Sequence, residues 1–125
     1  MNIVDSSGWL EYFGNGKNAN FFASAIEQKN SLIVPTIILT EVFRRILQQR
    51  DEQFALQVAA HMKQNHVVNL DADIALKSAK IGFEQKLPLA DSIIWATTQK
   101  FNAVLWTQDE DFKNFKGVRY VSKVK

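Results

Sequence analysis

Short apolar runs alternate with longer segments of helical period along the whole chain, and this alternation restricts the available folds more than any other feature. Five such runs are bounded by Gly, Asn, Asp or Pro, the residues typical of strand ends. We predict strands at residues 2–5, 31–34, 66–69, 103–106 and 118–121. Because helical segments separate these strands, the pattern predicts an α/β fold in which helices cover both faces of a parallel sheet.

Four of the helical segments are marked by recurring apolar residues or by helix-start residues. The first begins at Pro35, whose fixed φ suits a helix start. The second spans residues 54–62, where apolar side chains recur every fourth position. The third opens at Asp71 and Asp73, because acids are favoured near a helix N-terminus, and the fourth opens at Pro88.

Length and composition limit the class of protein. A chain of 125 residues with 46% hydrophobic residues and no repeat or linker predicts one domain, residues 1–125, with a sizeable core. The chain contains no cysteine, so disulfides and thiolate zinc sites are excluded. No apolar run approaches the roughly 20 residues of a membrane span, and the N-terminus lacks the pattern of a secretory signal. These features predict a cytoplasmic protein.

Four acidic residues stand where the predicted fold would bring them together. Asp5 closes the first strand, and Asp109 follows the end of the fourth strand by three residues. Glu41 lies in the helix after the second strand, and Asp91 lies in the first turn of the helix before the fourth. Open parallel sheets place their functional groups at the carboxyl ends of the strands. We therefore expect these four acids to converge at one edge of the sheet.

A cluster of carboxylates requires a counter-charge, because neighbouring carboxylates raise one another's pKa. Oxygen ligands of this kind select magnesium or manganese over zinc. A bound metal would activate water and stabilise charge on a phosphate. The sequence therefore indicates a magnesium-dependent hydrolytic site, and it leaves open whether one or two metal ions bind. Asp91 also has a purely structural interpretation, since an acid favours a helix N-terminus.

Three residues next to these acids are further candidates, and two of them, Ser6 and Asp111, also have a purely structural interpretation. The hydroxyls of Ser6 and Thr107 would hold a water or orient a carboxylate. Alternatively, Ser6 would cap a helix beginning at Gly8. Asp111 would be an outer metal ligand, but we expect it instead to cap a turn at residues 112–115.

The sequence around each acid also resembles a motif of a known family. The segments are IVDSSGW at residues 3–9, PTIILTEV at 35–42, LPLADSIIWA at 87–96 and LWTQDEDF at 105–112. Their order and spacing resemble those of PIN-domain endoribonucleases, and most closely the VapC-type toxins of bacterial toxin–antitoxin pairs. The third and fourth segments are distinctive, whereas the first occurs in unrelated proteins. The resemblance extends from Met1 to about Tyr120.

This resemblance carries expectations for the fold and the chemistry. It implies a PIN-like three-layer α/β/α fold with a five-stranded parallel sheet, a magnesium-dependent endoribonuclease, a homodimer and a small inhibitory antitoxin partner. Asp5, Asp91 and Asp109 would bind the metal, and Glu41 would bind metal or position the attacking water. Lys86 stands where relatives often have glycine, which we expect to affect a helix end and not the chemistry.

Other notable residues are assigned mainly to structure. We expect His61 and His66 to be structural, and the three tryptophans, Trp9, Trp95 and Trp106, to pack in the core. Two sets of residues have either a binding or a structural role, and the sequence does not decide between them. The phenylalanines Phe13, Phe21 and Phe22 would line an antitoxin groove or the core, and the arginines Arg44, Arg45 and Arg50 would contact RNA or antitoxin or lie in solvent.

The last stretch of the chain is basic. Residues 113–125 carry Lys113, Lys116, Arg119, Lys123 and Lys125 and no acid. We interpret this stretch as a solvated end, with a weak phosphate-binding patch as the alternative. For the whole chain, the main alternative function is a PIN-like module that binds RNA or a protein without cleavage. The identity of the RNA is open, because recognition depends on surface shape.

Overall fold

The computed structural model describes residues 1–28 and 30–124, and a five-stranded parallel sheet lies at its centre. The strands are β1 (Asn2–Val4), β2 (Leu32–Pro35), β3 (His66–Val68), β4 (Val104–Thr107) and β5 (Val118–Tyr120). Their order across the sheet is β3-β2-β1-β4-β5, and every pair is parallel. The predicted PIN-like three-layer α/β/α fold is confirmed.

Six helices flank the sheet. They are α1 (Ser6–Phe13), α2 (Ala19–Ile26), α3 (Thr36–Gln49), α4 (Glu52–Met62), α5 (Ala72–Gln85) and α6 (Leu89–Lys100). A short 3-10 turn, Glu110–Phe112, follows β4. The four predicted helices correspond to α3 through α6. None of the helices in the described residues combines the length and apolar character that a membrane span requires.

The first fifth of the chain differs from the prediction. Asp5 lies one residue beyond β1 and caps α1 through its side chain, so the proposed cap at Ser6 is wrong. The helix starts at Ser6 because the Asp5 carboxylate accepts the backbone N–H of Gly8 at 2.9 Å. We did not predict α2, whose N-cap Asn18 makes no side-chain hydrogen bond to the helix.

The core explains the position of the functional edge. β1 lies between β2 and β4, and Ile3 and Val4 at its centre are fully buried. The register pairs Val4 with Trp106, so the next residues, Asp5 and Thr107, are neighbours at the carboxyl ends of two adjacent strands. The chain adds β2 and β3 on one side of β1 and then crosses to add β4 and β5 on the other, and such a switch point forms a crevice at the carboxyl edge.

The three tryptophans belong to this core, as predicted. Trp9 is fully buried, and Trp95 and Trp106 are 6% and 7% exposed. His61 packs edge-on against Phe13, with 5.2 Å between ring centroids, and His66 lies 6.4 Å from the ring of Phe101. Both histidines are exposed apart from these ring contacts, and their structural role stays a prediction.

Candidate active site

Asp5 is buried at the end of β1 and is held by three hydrogen bonds. Its Oδ1 accepts from Ser7 Oγ at 2.9 Å and from the backbone N–H of Gly8 at 2.9 Å. Its Oδ2 accepts from the hydroxyl of Thr107, which in turn accepts the backbone N–H of Asp109 at 2.9 Å. The Thr107 hydroxyl therefore joins the end of β1 to the loop that carries Asp109. This is the orienting role that we considered for Thr107.

Burial makes ionisation of Asp5 unfavourable. The side chain is only 3% exposed, and loss of water raises its pKa from 3.8 to about 6. The hydrogen bonds from Thr107, Gly8 and Ser7 oppose this rise, whereas the negative charge of Asp109 adds to it. A cation beside Asp5 would remove the cost of its charge.

Asp91 and Asp109 come together at this edge, and Asp111 joins them. Each of the three offers one carboxylate oxygen, and these oxygens lie within 4.8 Å of one another. Asp91 is in the first turn of α6, and Asp109 and Asp111 belong to the loop and 3-10 turn after β4. The expectation that Asp111 caps a turn is wrong, because Asp109 is the cap: its Oδ1 accepts from the backbone N–H of Asp111 at 2.9 Å. The side chain of Asp111 is thus left for the cluster.

Asp109 is the acid that lies near the other three predicted site residues. Its charge raises the pKa of Asp5, of Glu41 and of Asp91. For Asp91, loss of water is the largest cause and the charges of Asp109 and Asp111 follow, so that the pKa of this carboxyl lies far above its usual range. Asp109 therefore connects Asp5 and Glu41 on one side of the site with Asp91 on the other.

Glu41 extends from α3 toward the same edge. Burial raises the pKa of Glu41, the nearby hydroxyl of Ser6 lowers it, and the charge of Asp109 raises it further. Its Oε1 is buried and has no hydrogen-bond partner among the described residues. A buried oxygen without a partner costs about 1–3 kcal/mol, so this atom indicates a missing partner at the site.

The donor set is suited to a hard divalent cation. Five carboxylates surround the edge, namely Asp5, Glu41, Asp91, Asp109 and Asp111. None of them forms an ion pair with a Lys or Arg side chain in the described part of the chain. Carboxylate oxygens with no histidine or cysteine among them match magnesium or manganese. The raised pKa values of Asp5, Glu41 and Asp91 and the unpaired oxygen of Glu41 fit a site for a cation.

A buried amide pair also supports the loop after β4, and sequence reasoning missed it. Asn18 donates from its Nδ2 to Gln108 Oε1 and to the backbone carbonyl of Ser122, both at 2.9 Å. Gln108 lies between Thr107 and Asp109, so this pair fixes the backbone that presents Asp109. Gln108 stands beside the acid in the fourth motif, but no sequence signal indicated Asn18, because its partners are 90 and 104 residues away.

The basic end of the chain packs partly against aromatic rings. Arg119 stacks over Trp106 at 4.5 Å, and Lys113 lies 5.9 Å from the ring of Tyr120. Lys123 lines a cleft together with three acids, Asp109, Glu110 and Asp111. These contacts do not decide between a solvated end and a phosphate patch, and both stay predictions. Lys125 lies outside the described residues.

A hydrophobic groove is present, but at a different place from the predicted one. Phe22 is fully buried, and Phe13 and Phe21 pack partly buried against the core. An open apolar groove of about 400 Å³ instead lies between α3 and α4. Its lining residues are Leu39, Thr40, Phe43, Arg44, Leu47, Ala59 and Lys63.

Comparison with known proteins identifies the fold and the sequence family. The PIN domain family matches residues 3–118. No curated protein sequence matches the chain. A toxin–antitoxin complex from Klebsiella pneumoniae contains a similar chain, with 25% identity, a TM-score of 0.78 and coverage of 94% of this chain and 95% of that one.

Two further structures share the fold at lower identity. VapC20 of Mycobacterium tuberculosis, a toxin that cleaves the sarcin–ricin loop, has a TM-score of 0.78 at 16% identity, with 94% and 97% of the two chains covered. DNA-bound VapBC from Salmonella typhimurium has a TM-score of 0.73 at 14% identity, with 98% and 97% covered. The resemblance to VapC-type proteins seen in the motifs is thus present in the structure as well. Because the family match spans almost the whole chain and includes all four motif acids, this chain belongs to the PIN domain family.

Proposed function

We propose that this PIN domain, residues 1–125, is a magnesium-dependent endoribonuclease that acts as the toxin of a toxin–antitoxin pair. The observation that carries the proposal is the convergence of Asp91, Asp109 and Asp111, whose carboxylate oxygens lie within 4.8 Å of one another without a basic partner among the described residues. Such a cluster is stable in its charged form only with a cation. Family membership supports a nuclease as the protein that would use it.

In this proposal, Asp5, Asp91 and Asp109 hold the divalent cation, and Asp111 is a further ligand. The bound cation supplies Lewis-acid activation of water and charge stabilisation for the phosphate. The water oxygen would attack phosphorus and give up one proton to solvent, the phosphorus–oxygen bond to the leaving nucleotide would break, and the leaving oxygen would take up a proton from solvent. Glu41 orients the water through Oε1, and Thr107 keeps Asp5 in position for the cation. Manganese would satisfy the same oxygen ligands.

A cleavage assay with purified protein tests the proposal. The parent protein is incubated with total RNA, with transfer RNA and with ribosomal RNA, in magnesium, in manganese and in EDTA. We expect cleavage that requires the metal and falls by at least about 100-fold in Asp91→Asn and Asp109→Asn. Asp73→Asn is the matched control, because it removes one surface carboxylate from α5 and should leave cleavage unchanged.

The alternative function, a PIN-like module that binds RNA or a protein without cutting, predicts a different result. That module would retain RNA in a binding assay but produce no metal-dependent ends with any of the three RNA classes. Cleavage by the parent that persists in both aspartate variants would instead contradict the proposed site. Mapping the new RNA ends after brief induction of parent and Asp5→Ala identifies the cleaved RNA.

We propose a small antitoxin and a second copy of the chain as the protein partners. Similar folds occur in toxin–antitoxin complexes from several bacteria, which supports the first partner. The apolar groove between α3 and α4 offers a surface for it, because Phe43 and Leu47 on its wall would be covered by an apolar segment. Expression with the product of the adjacent gene should relieve growth arrest, and Leu47→Glu should prevent that rescue. Sedimentation measurements test the homodimer.

A further inference from the structure

A cleft between α1 and α3 adjoins the acidic site, because Glu41 is one of its lining residues. It has a volume of about 340 Å³. Its polar lining consists of Ser6, Ser7, Glu41, Arg44, Arg45 and Gln48. The groove between α3 and α4, which shares Arg44, is mainly apolar, whereas this cleft is mainly polar and combines basic side chains with neutral hydrogen-bond donors, the groups that contact phosphate oxygens.

Two residues of this cleft connect it to the acids. Ser7 donates its hydroxyl to Asp5 Oδ1 at 2.9 Å, and Glu41 is close enough to Asp109 for that charge to raise its pKa. The cleft therefore begins where the metal-binding acids end. A polymer whose reacting phosphate is held by the acids would extend its neighbouring phosphates into this space.

The two arginines of the cleft are exposed and have no acidic partner among the described residues. Arg44 and Arg45 lie three and four positions after Glu41 on α3, a spacing at which helical side chains form ion pairs. Neither arginine forms one, whereas Lys77 and Lys100 on other helices do. Both guanidinium groups thus keep their full donor capacity for an anion.

A second cleft at the site is acidic. It is lined by Asp109, Glu110 and Asp111, with Lys123 as its one basic residue among those described. Two of these carboxylates, Asp109 and Asp111, are cation ligands in the proposed function, so this cleft belongs to the metal site, whereas the α1–α3 cleft carries its arginines outside the acidic cluster. The charge distribution around the acids is therefore asymmetric.

We propose that the α1–α3 cleft binds the RNA phosphates next to the scissile one, and that Arg44 and Arg45 are the contacting residues. The inference rests on the proposed nuclease function and assigns the substrate path on one side of its site. Phosphate contacts are independent of base identity, so the cleft contributes affinity and register and no sequence preference. Removal of either guanidinium group should reduce the slope of log affinity against log salt by about 0.7 for a single strand.

Fluorescence anisotropy with 5′-fluorescein-labelled oligo(U) of 12 nucleotides tests the cleft. All proteins carry Asp91→Asn, so that the probe stays intact in magnesium, and titrations are repeated between about 50 and 300 mM NaCl. We expect Arg44→Gln and Arg45→Gln each to weaken binding roughly 3- to 10-fold and to lower the salt slope. Lys80→Gln is the matched control. Lys80 is an exposed residue of α5 that lies beside the C-terminal end of α6, whereas the site acid Asp91 lies at the N-terminal end of α6.

Glu41→Gln is expected to change the affinity for oligo(U) in the opposite direction to the arginine variants. Removing this negative charge from the cleft should strengthen oligo(U) binding, since the phosphates no longer meet a carboxylate there. Circular dichroism and a thermal melt confirm that each variant is folded.

The outcomes separate this inference from the proposed function. Equal affinity and equal salt slope in the arginine variants and the background protein would overturn the cleft assignment, as would a loss of the same size in Lys80→Gln. Failure of the background protein to bind oligo(U) would overturn it as well. Cutting of the probe by the Asp91→Asn background would contradict the proposed active site, and the arginine comparison at early times would still decide the cleft.

Discussion

Replacing Asp5 with asparagine should stabilise the metal-free protein at neutral pH while removing a metal ligand. Asp5 is 3% exposed, and burial raises its pKa from 3.8 to about 6. Asparagine carries no charge to bury, and it keeps the bond from Gly8 but reverses the one with Thr107, whose hydroxyl hydrogen then loses its acceptor. Its Oδ1 can still accept the backbone N–H of Gly8, and its Nδ2 can donate to Thr107 Oγ1.

The sign and size follow from the difference between the folded and unfolded pKa. Below about pH 3.8 Asp5 is protonated in both states and has no effect on the pH dependence of stability. As pH rises, the unfolded chain loses this proton first, so the folded state becomes less stable until pH passes about 6. Each unit of pKa difference corresponds to 1.36 kcal/mol, so a difference of about two units lowers the free energy of unfolding of the parent by about 3 kcal/mol above pH 7. At about pH 4.5 the same calculation gives a loss of stability of only about 1 kcal/mol.

Urea unfolding in EDTA, followed by tryptophan fluorescence, measures this difference. We expect Asp5→Asn to raise the free energy of unfolding by about 3 kcal/mol at about pH 7.5 and by about 1 kcal/mol at about pH 4.5. The matched control is Asp71→Asn. Asp71 also caps a helix, accepting the backbone N–H of Ile74 at 2.8 Å, but its pKa is lowered by that bond and by Lys100.

Because a lowered carboxylate pKa contributes stability above the unfolded value, Asp71→Asn should destabilise the protein at neutral pH. Two capping aspartates are thus expected to give opposite signs. A stability difference between Asp5→Asn and the parent that does not grow from about pH 4.5 to about pH 7.5 would refute the reasoning, since it would show that the pKa of Asp5 is not raised in the folded state.

Three further predictions concern the same framework. Magnesium at 100 times its dissociation constant should raise the unfolding free energy of the parent by about 2.7 kcal/mol and that of Asp91→Asn by much less; equal gains in urea titrations would contradict the metal site. Lys86→Gly should stabilise by about 1 kcal/mol, because Lys86 ends α5 at φ 58°, and a lower thermal midpoint would contradict this. Gly8→Ala should destabilise by about 2 kcal/mol or more in urea, because an added Cβ would lie 2.6 Å from Phe22 and Val4, whereas an unchanged midpoint would show that these neighbours can move.

The local pattern of the chain was sufficient for most of the fold. Strands such as 103–106 were predicted to within one residue, because β-branched and apolar runs bounded by turn residues carry their own signal. Asp71 was correctly placed at the start of a helix for the same reason, since capping depends on residues only three positions apart. The eight-residue α2 was missed because it is short and lacks a side-chain cap hydrogen bond.

For the candidate site, too, one part was predictable from the sequence and another part was not. The sequence by itself determined which acids to consider, because Asp5, Glu41, Asp91 and Asp109 stand in segments of defined order and spacing. Only the tertiary structure decided how their side chains are used. It directed Asp111 into the cluster and made Asp109 both the cap and the neighbour of the other acids.

The strand order was likewise determined by the tertiary structure. Short strands carry no local record of their neighbours, so the placement of β1 between β2 and β4 follows from packing of the whole chain. That placement sets Asp5 beside Thr107 and brings Asn18 to Gln108 across 90 residues. Residue type and spacing determined the chemistry available to this protein, and side-chain direction, burial and long-range contacts decided which groups meet.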